Sequence, residues 1–147
     1  MDMERELVGA PLDEFLAGHE TGVLSLARDN EPYGIPISYG YDADTRQFYL
    51  RLVSTPDSDK RRFLGSSPRA RLTIYEGDAD TYMSAIVTGR LQEIPRDALD
   101  IEDVEQFGTT KRPLFEIWGG NTEDLDILLY RLDADELSGR SIEVDRS

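Results

Sequence analysis

Residues 21–53, TGVLSLARDNEPYGIPISYGYDADTRQFYLRLV, constrain the fold more than any other part of the chain. They hold three runs of strand-forming residues, Gly22 to Arg28, Tyr33 to Tyr41 and Gln47 to Val53, joined by DNEP and DADT. Links this short, built from turn-forming residues, join antiparallel neighbours. A second pair, ARLTIYEG and YMSAIVTGRLQEI, follows around DAD, and its alternation suits strands with one buried face. Five antiparallel strands on short links favour a closed barrel over an open sheet, because closure removes the edges.

Helical spacing is confined to short stretches. PLDEFLAGH places Leu12, Phe15 and Leu16 on one face, with Pro11 suited to a first turn and Gly18 to the stop, so a helix is expected before the sheet. SDKRRFLGSSP predicts a short helix with Phe63 and Leu64 inward, and RDALDIEDVEQFG an amphipathic helix ended by Gly108. The C-terminal part offers one further strand at Ile127 to Leu132, with another near the end. The expectation is a single domain, residues 1–147, of the mainly β class: a β-barrel with flanking helices.

Composition narrows the function classes. The 147 residues carry 30 Asp and Glu against 16 Lys and Arg, a formal charge of -14. Such a surface repels nucleic acid and anionic membranes, so neither is expected as a partner. With no cysteine there is no thiolate chemistry, and redox work requires a borrowed cofactor. No apolar run is long enough for a spanning helix, and the acidic N-terminus lacks a signal core, so a cytoplasmic location is expected. The acid excess, with 14 of the cations being Arg, is similar to that of cytosolic proteins from halophilic microbes. His19 without a neighbouring Cys, and the pairs Asp42 and Asp44, Asp78 and Asp80, and Asp133 and Asp135, read as capping or turn residues; no metal site is expected.

Against this acidity, Leu50 to Leu72 gathers six cations, Arg51, Lys60, Arg61, Arg62, Arg69 and Arg71, opposed by Asp57 and Asp59 alone. A loop rich in Ser and Thr that leads into a helix offers hydroxyl and backbone donors to a phosphate, with Arg51 and Lys60 supplying charge. Pro36, inside a strand-like run, cannot donate to a ladder and belongs at an edge, a bulge or a rim.

The order EPYGIPISYGYD, FYL with a following basic residue, a small-residue loop, Lys60, FLGSSPRARLTIYE and SAIVTGRLQEI resembles the flavin-binding split barrels related to pyridoxamine 5'-phosphate oxidase. The likeness covers about residues 12–95, with a weaker echo from Phe115 to Arg140. It implies an antiparallel split β-barrel of the flavin mononucleotide (FMN)-binding type. Arg51, Ser54, Thr55 and Lys60 would form the phosphate set, and Ile35, Pro36, Ile37 and Ser38 the strand beside the flavin ring. Ser84 would face the ring edge, and Trp118 would cover the flavin from a partner subunit. The resemblance also implies a homodimer and a flavin-dependent oxidoreductase acting on a small molecule. Two alternatives are a deazaflavin (F420)-dependent enzyme and a non-catalytic flavin-binding protein. Gly34 to Tyr39 carries no cation, and Arg131 and Arg140 have no companion His, which argues against pyridoxamine phosphate as the substrate. No catalytic acid or base can be named.

Overall fold

The computed structural model describes residues 3–54, 63–65, 68–95, 97 and 126–145. In chain order they form β1 (Met3–Leu7), α1 (Gly9–Ala17), β2 (Thr21–Arg28), β3 (Glu31–Asp42), β4 (Gln47–Ser54), β5 (Arg69–Asp78), β6 (Thr81–Glu93) and β7 (Asp126–Glu143). Neighbours run β1-β7-β4-β3-β2-β5-β6, and β6 pairs with β7 again, so the sheet closes. Every pairing is antiparallel. The barrel expected from the short links is therefore present.

Turn chemistry sets the hairpins. Arg28 pairs with Glu31 across a two-residue loop in which Asp29 and Asn30 both have positive φ, 51° and 66°. That is the primed turn whose twist matches the strands, and Asp and Asn tolerate the left-handed region better than most residues. Between β3 and β4 the Asp44 N–H donates to the Asp42 carboxylate at 3.0 Å, and Arg46 takes the left-handed position.

Two elements depart from the sequence reading. A strand, β1, precedes the helix. Its MEREL sequence is polar and exposed except at Leu7, so no local pattern reveals it; it is a strand because it pairs with residues 139–143 of β7. β7 is one strand of 18 residues, where a shorter strand and a second one near the end were expected. The polar stretch DADE reads as a break, yet the ladder to β6 runs through it with one register shift at Thr88/Gly89. A Cβ on Gly89 would overlap the Asp133 carbonyl oxygen and lie 3.0 Å from Ala134 Cα, so the shift requires a residue without a side chain. Of the two later helices, Phe63 and Leu64 are helical and buried as expected. The expected helix beyond Arg96 lies outside the described residues, apart from Asp97.

Inside the barrel, Leu24, Ile37, Phe48, Leu50, Leu52, Leu72, Ile74, Val87, Leu91 and Leu132 form one cluster, joined by Leu12, Phe15 and Leu16 of α1. Burial of each such side chain contributes about 1.5–3 kcal/mol. The helix is also tied by hydrogen bonds from β3: the Tyr39 hydroxyl donates to the Leu16 carbonyl at 2.7 Å, and the Tyr41 hydroxyl to Asp13 Oδ1 at 2.6 Å. Burial pushes both phenols above their ordinary range, and donation to Asp13 adds to this for Tyr41. His19, just past the helix, contacts the Phe15 carbonyl and Glu76 through its two ring nitrogens, at 2.8 and 3.0 Å.

Candidate cofactor cleft

The ladder between β3 and β4 runs from Asp42↔Gln47 to Tyr39↔Leu50 and stops there among the described pairings. β3 continues back to Glu31 on β2 alone, while β4 continues to Ser54 on β7 alone. The two strands part between Ser38 and Arg51. This is the split in the barrel.

Hydrogen-bond direction shows what faces the opening. The Tyr39 N–H donates to the Glu20 carbonyl at 2.9 Å, which makes Ser38↔Thr21 a non-hydrogen-bonded pair. Alternation then makes Pro36↔Val23 and Pro32↔Ala27 non-hydrogen-bonded too, so the nitrogens of both prolines point away from β2, toward the opening. Neither can donate to a further strand. The edge beside the split is thereby blocked against strand addition.

Extending the β3–β4 register one step past its last pair puts Arg51 opposite Ser38 on the outer face, the face of Pro36. Ser38 is buried, at 1% exposure, and Arg51 is half-buried. Across β7, Arg51 pairs with Leu129 and Tyr49 with Arg131, so Arg131 sits diagonally from Arg51 on the same face. The Arg131 Nε donates to Asp133 Oδ1 at 2.9 Å, and that oxygen also accepts from Gln47 Nε2 at 2.8 Å. The bond fixes Arg131 through Nε and leaves its outer fork available. Sequence reading gave Arg131 no role in the site; the signal it carries is a cation two residues before Asp133, on a strand that pairs with β4.

By register Pro36, Ser38 and Arg51 lie on one face beside the split, with Ile35 and Ile37 on the opposite, core-directed face of β3. The Ser54 backbone ends β4 on the far side of the split. Thr55, Lys60 and Trp118 lie outside the described residues. Ser84 lines a cavity of about 340 Å³ with Glu4, Glu6, Ile86, Ser138 and Arg140. Pro36 lines another, of about 380 Å³, with Thr21, Gly22, Val23 and Tyr75. Tyr75 of that second cavity is the cross-strand partner of Ser84.

Among the described residues no cluster of three or more His, Asp or Glu is arranged to hold a metal ion, and no helix is long and apolar enough to cross a membrane. The acidic pairs have other work: Asp42 accepts from the turn, Asp133 holds Gln47 and Arg131, and Asp135 pairs with Arg69 at 2.7 Å.

The fold recurs in solved structures. An FAD-binding protein from Mesorhizobium loti is 22% identical, with 95% of this chain and 98% of that chain covered and a TM-score of 0.73. An FAD-binding protein from Mycobacterium smegmatis is 14% identical over 95% and 98% of the two chains, at a TM-score of 0.69. An FAD- and haem-binding protein from the same organism is 18% identical over 97% and 74%, at 0.63. At these identities the likeness shows the fold. A search of curated protein sequences finds no match. Sequence supplies the family directly: the family model for pyridoxamine 5'-phosphate oxidase matches residues 10–141, from α1 through the split to β7, and the chain belongs to that family.

Proposed function

We propose that this protein binds a flavin, as FMN, in the cleft between β3 and β4 and acts as a flavin-dependent oxidoreductase on a small molecule. The observation that carries the reading is the parting of the two strands at Tyr39/Leu50, with proline nitrogens turned to the opening and Arg51 opposite Ser38 across it. A flavin supplies hydride and one-electron chemistry that a chain without cysteine lacks. The residues of the cleft hold and orient it. Pro36 offers an edge without a donor, Ser38 a buried hydroxyl, and Arg51 with Lys60 the charge for a phosphate, assisted by Ser54, Thr55 and the outer fork of Arg131. The described FAD-binding character of the proteins of like fold supports a flavin over a deazaflavin. A non-catalytic flavin carrier differs from this reading in one respect: reduced nicotinamide would not turn over its bound flavin.

The protein is a homodimer in this reading, with Trp118 of the second chain completing each flavin site. Sedimentation should then give twice the 16.6 kDa chain mass. The direct test of the cleft is Arg51→Ala titrated with FMN and with riboflavin. FMN affinity should fall by about tenfold or more, as for a charge-assisted hydrogen bond, with riboflavin little changed. Equal losses for both ligands would remove Arg51 from the phosphate set.

A further inference from the structure

On the outer face, away from the split, Arg69 on β5 is directly opposite Arg90 on β6, and Arg71 lies two residues along the same face. Like charges directly opposite on neighbouring strands are destabilising. Among the described residues Arg69 Nη1 is paired with Asp135 Oδ2 at 2.7 Å, and Arg90 has Asp133 as its register partner on β7. Asp133 Oδ1 already accepts from Gln47 and Arg131.

Arg71 has the more specific surroundings. Its register partners are Ser25 on β2 and Thr88 on β6, so a guanidinium is flanked on both sides by hydroxyls. The Arg71 Nε donates to Thr88 Oγ1 at 3.3 Å, which turns the two-nitrogen fork outward and leaves the Thr88 hydroxyl proton free to donate. Ser25, Arg69, Arg71 and Thr88 line an open groove of about 300 Å³, with Arg90 beside it. Planar guanidinium forks with adjacent hydroxyl donors match the geometry of phosphate oxygens. The carboxylates nearest by register are Asp133, opposite Arg90 and engaged with Gln47 and Arg131, Asp135, engaged with Arg69, and Glu136, opposite Thr88.

We infer that this groove is a second anion site, separate from the flavin cleft, which binds the phosphate or diphosphate group of a small molecule through Arg71, Arg90, Ser25 and Thr88. The inference does not depend on the flavin reading, since none of these residues belongs to that cleft. The overall charge sharpens it: a -14 surface repels anions, so saturable binding of one must be local.

Inorganic pyrophosphate is the probe, titrated calorimetrically into the full chain at low salt, with and without saturating FMN so that the flavin phosphate site is filled in one arm. Saturable binding in both arms is expected. Arg71→Ala and Arg90→Ala should each weaken it at least tenfold, while FMN affinity stays within twofold of the parent. Malonate in place of pyrophosphate should bind at least tenfold more weakly if phosphate geometry is what the groove reads. Absence of saturable binding in the FMN-filled arm, unchanged affinity in the two variants, or equal affinity for malonate would each overturn the assignment.

Discussion

Replacing Gly89 by Ala should be among the most damaging single-methyl changes this fold can receive. Gly89 sits at the register shift of the β6–β7 seam, which closes the barrel. The added Cβ would overlap the Asp133 carbonyl oxygen, 2.8 Å from its carbon and 3.0 Å from Ala134 Cα. All three are backbone atoms, so no side chain can turn aside. Relief requires the strands to part by an ångström or so. Overpacking of this kind costs about 1–3 kcal/mol, and parting the strands weakens two or so ladder hydrogen bonds of about 1 kcal/mol each. The sum is about 3–5 kcal/mol. At about 2–4 °C per kcal/mol for a chain of this size, the melting temperature should fall by roughly 6–20 °C. Urea and thermal unfolding followed by circular dichroism measure it, with Gly34→Ala as the control, since a Cβ there meets nothing within 4 Å. Gly34→Ala should stay within about 0.5 kcal/mol of the parent. A Gly89→Ala protein within about 1 kcal/mol of the parent would refute the reasoning.

Four other outcomes are expected. Lys60→Ala should weaken FMN binding by about 1.5–3 kcal/mol and leave riboflavin binding nearly unchanged; equal effects would remove Lys60 from the phosphate set. Tyr39→Phe removes the bond to the Leu16 carbonyl and should cost about 1–2 kcal/mol. Because the Tyr39 and Tyr41 hydroxyls titrate higher in the folded state than the usual 10.0, their contribution is intact below about pH 10 and lost as pH rises above it, so alkaline melting should be shallower in a Tyr39→Phe Tyr41→Phe double variant. Melting temperature should rise from 0.01 to 1 M potassium chloride as the Debye length shrinks from about 30 to about 3 Å; a flat or falling series would show that the acid excess is not a salt adaptation.

The central strands were legible because each carries its own signal. TGVLSLAR and GIPISYGY alternate, DN marks one turn with residues that tolerate positive φ, and DADT marks the next with an Asp42 carboxylate that accepts from the Asp44 N–H. β1 was hidden because MEREL is held by an edge of β7 rather than by any pattern of its own. The length of β7 was hidden because DADE looks like a loop when its pairing with β6 is not known. At the site, Pro36 advertised an edge, and Arg51 stood out as a cation after an apolar run. Their meeting across the split depends on where β3 and β4 part, which follows from closure of the whole barrel. Ser84 joins the Pro36 cavity only through its cross-strand partner Tyr75, a link that the linear order of the motifs does not carry. Arg69, Arg71 and Arg90 read singly as surface cations. Only the cross-strand register places Arg69 against Arg90 and hydroxyls on both sides of Arg71.

The absorption spectrum of the protein as purified, followed by release and identification of whatever it carries, tests the central claim most directly. A flavin gives bands near about 375 and 450 nm, and a deazaflavin one near about 420 nm. The account predicts the flavin pair, or its appearance on adding FMN, at one flavin per chain, with the signal reduced by Arg51→Ala. A colourless protein that takes up no FMN would contradict it, as would the single deazaflavin band.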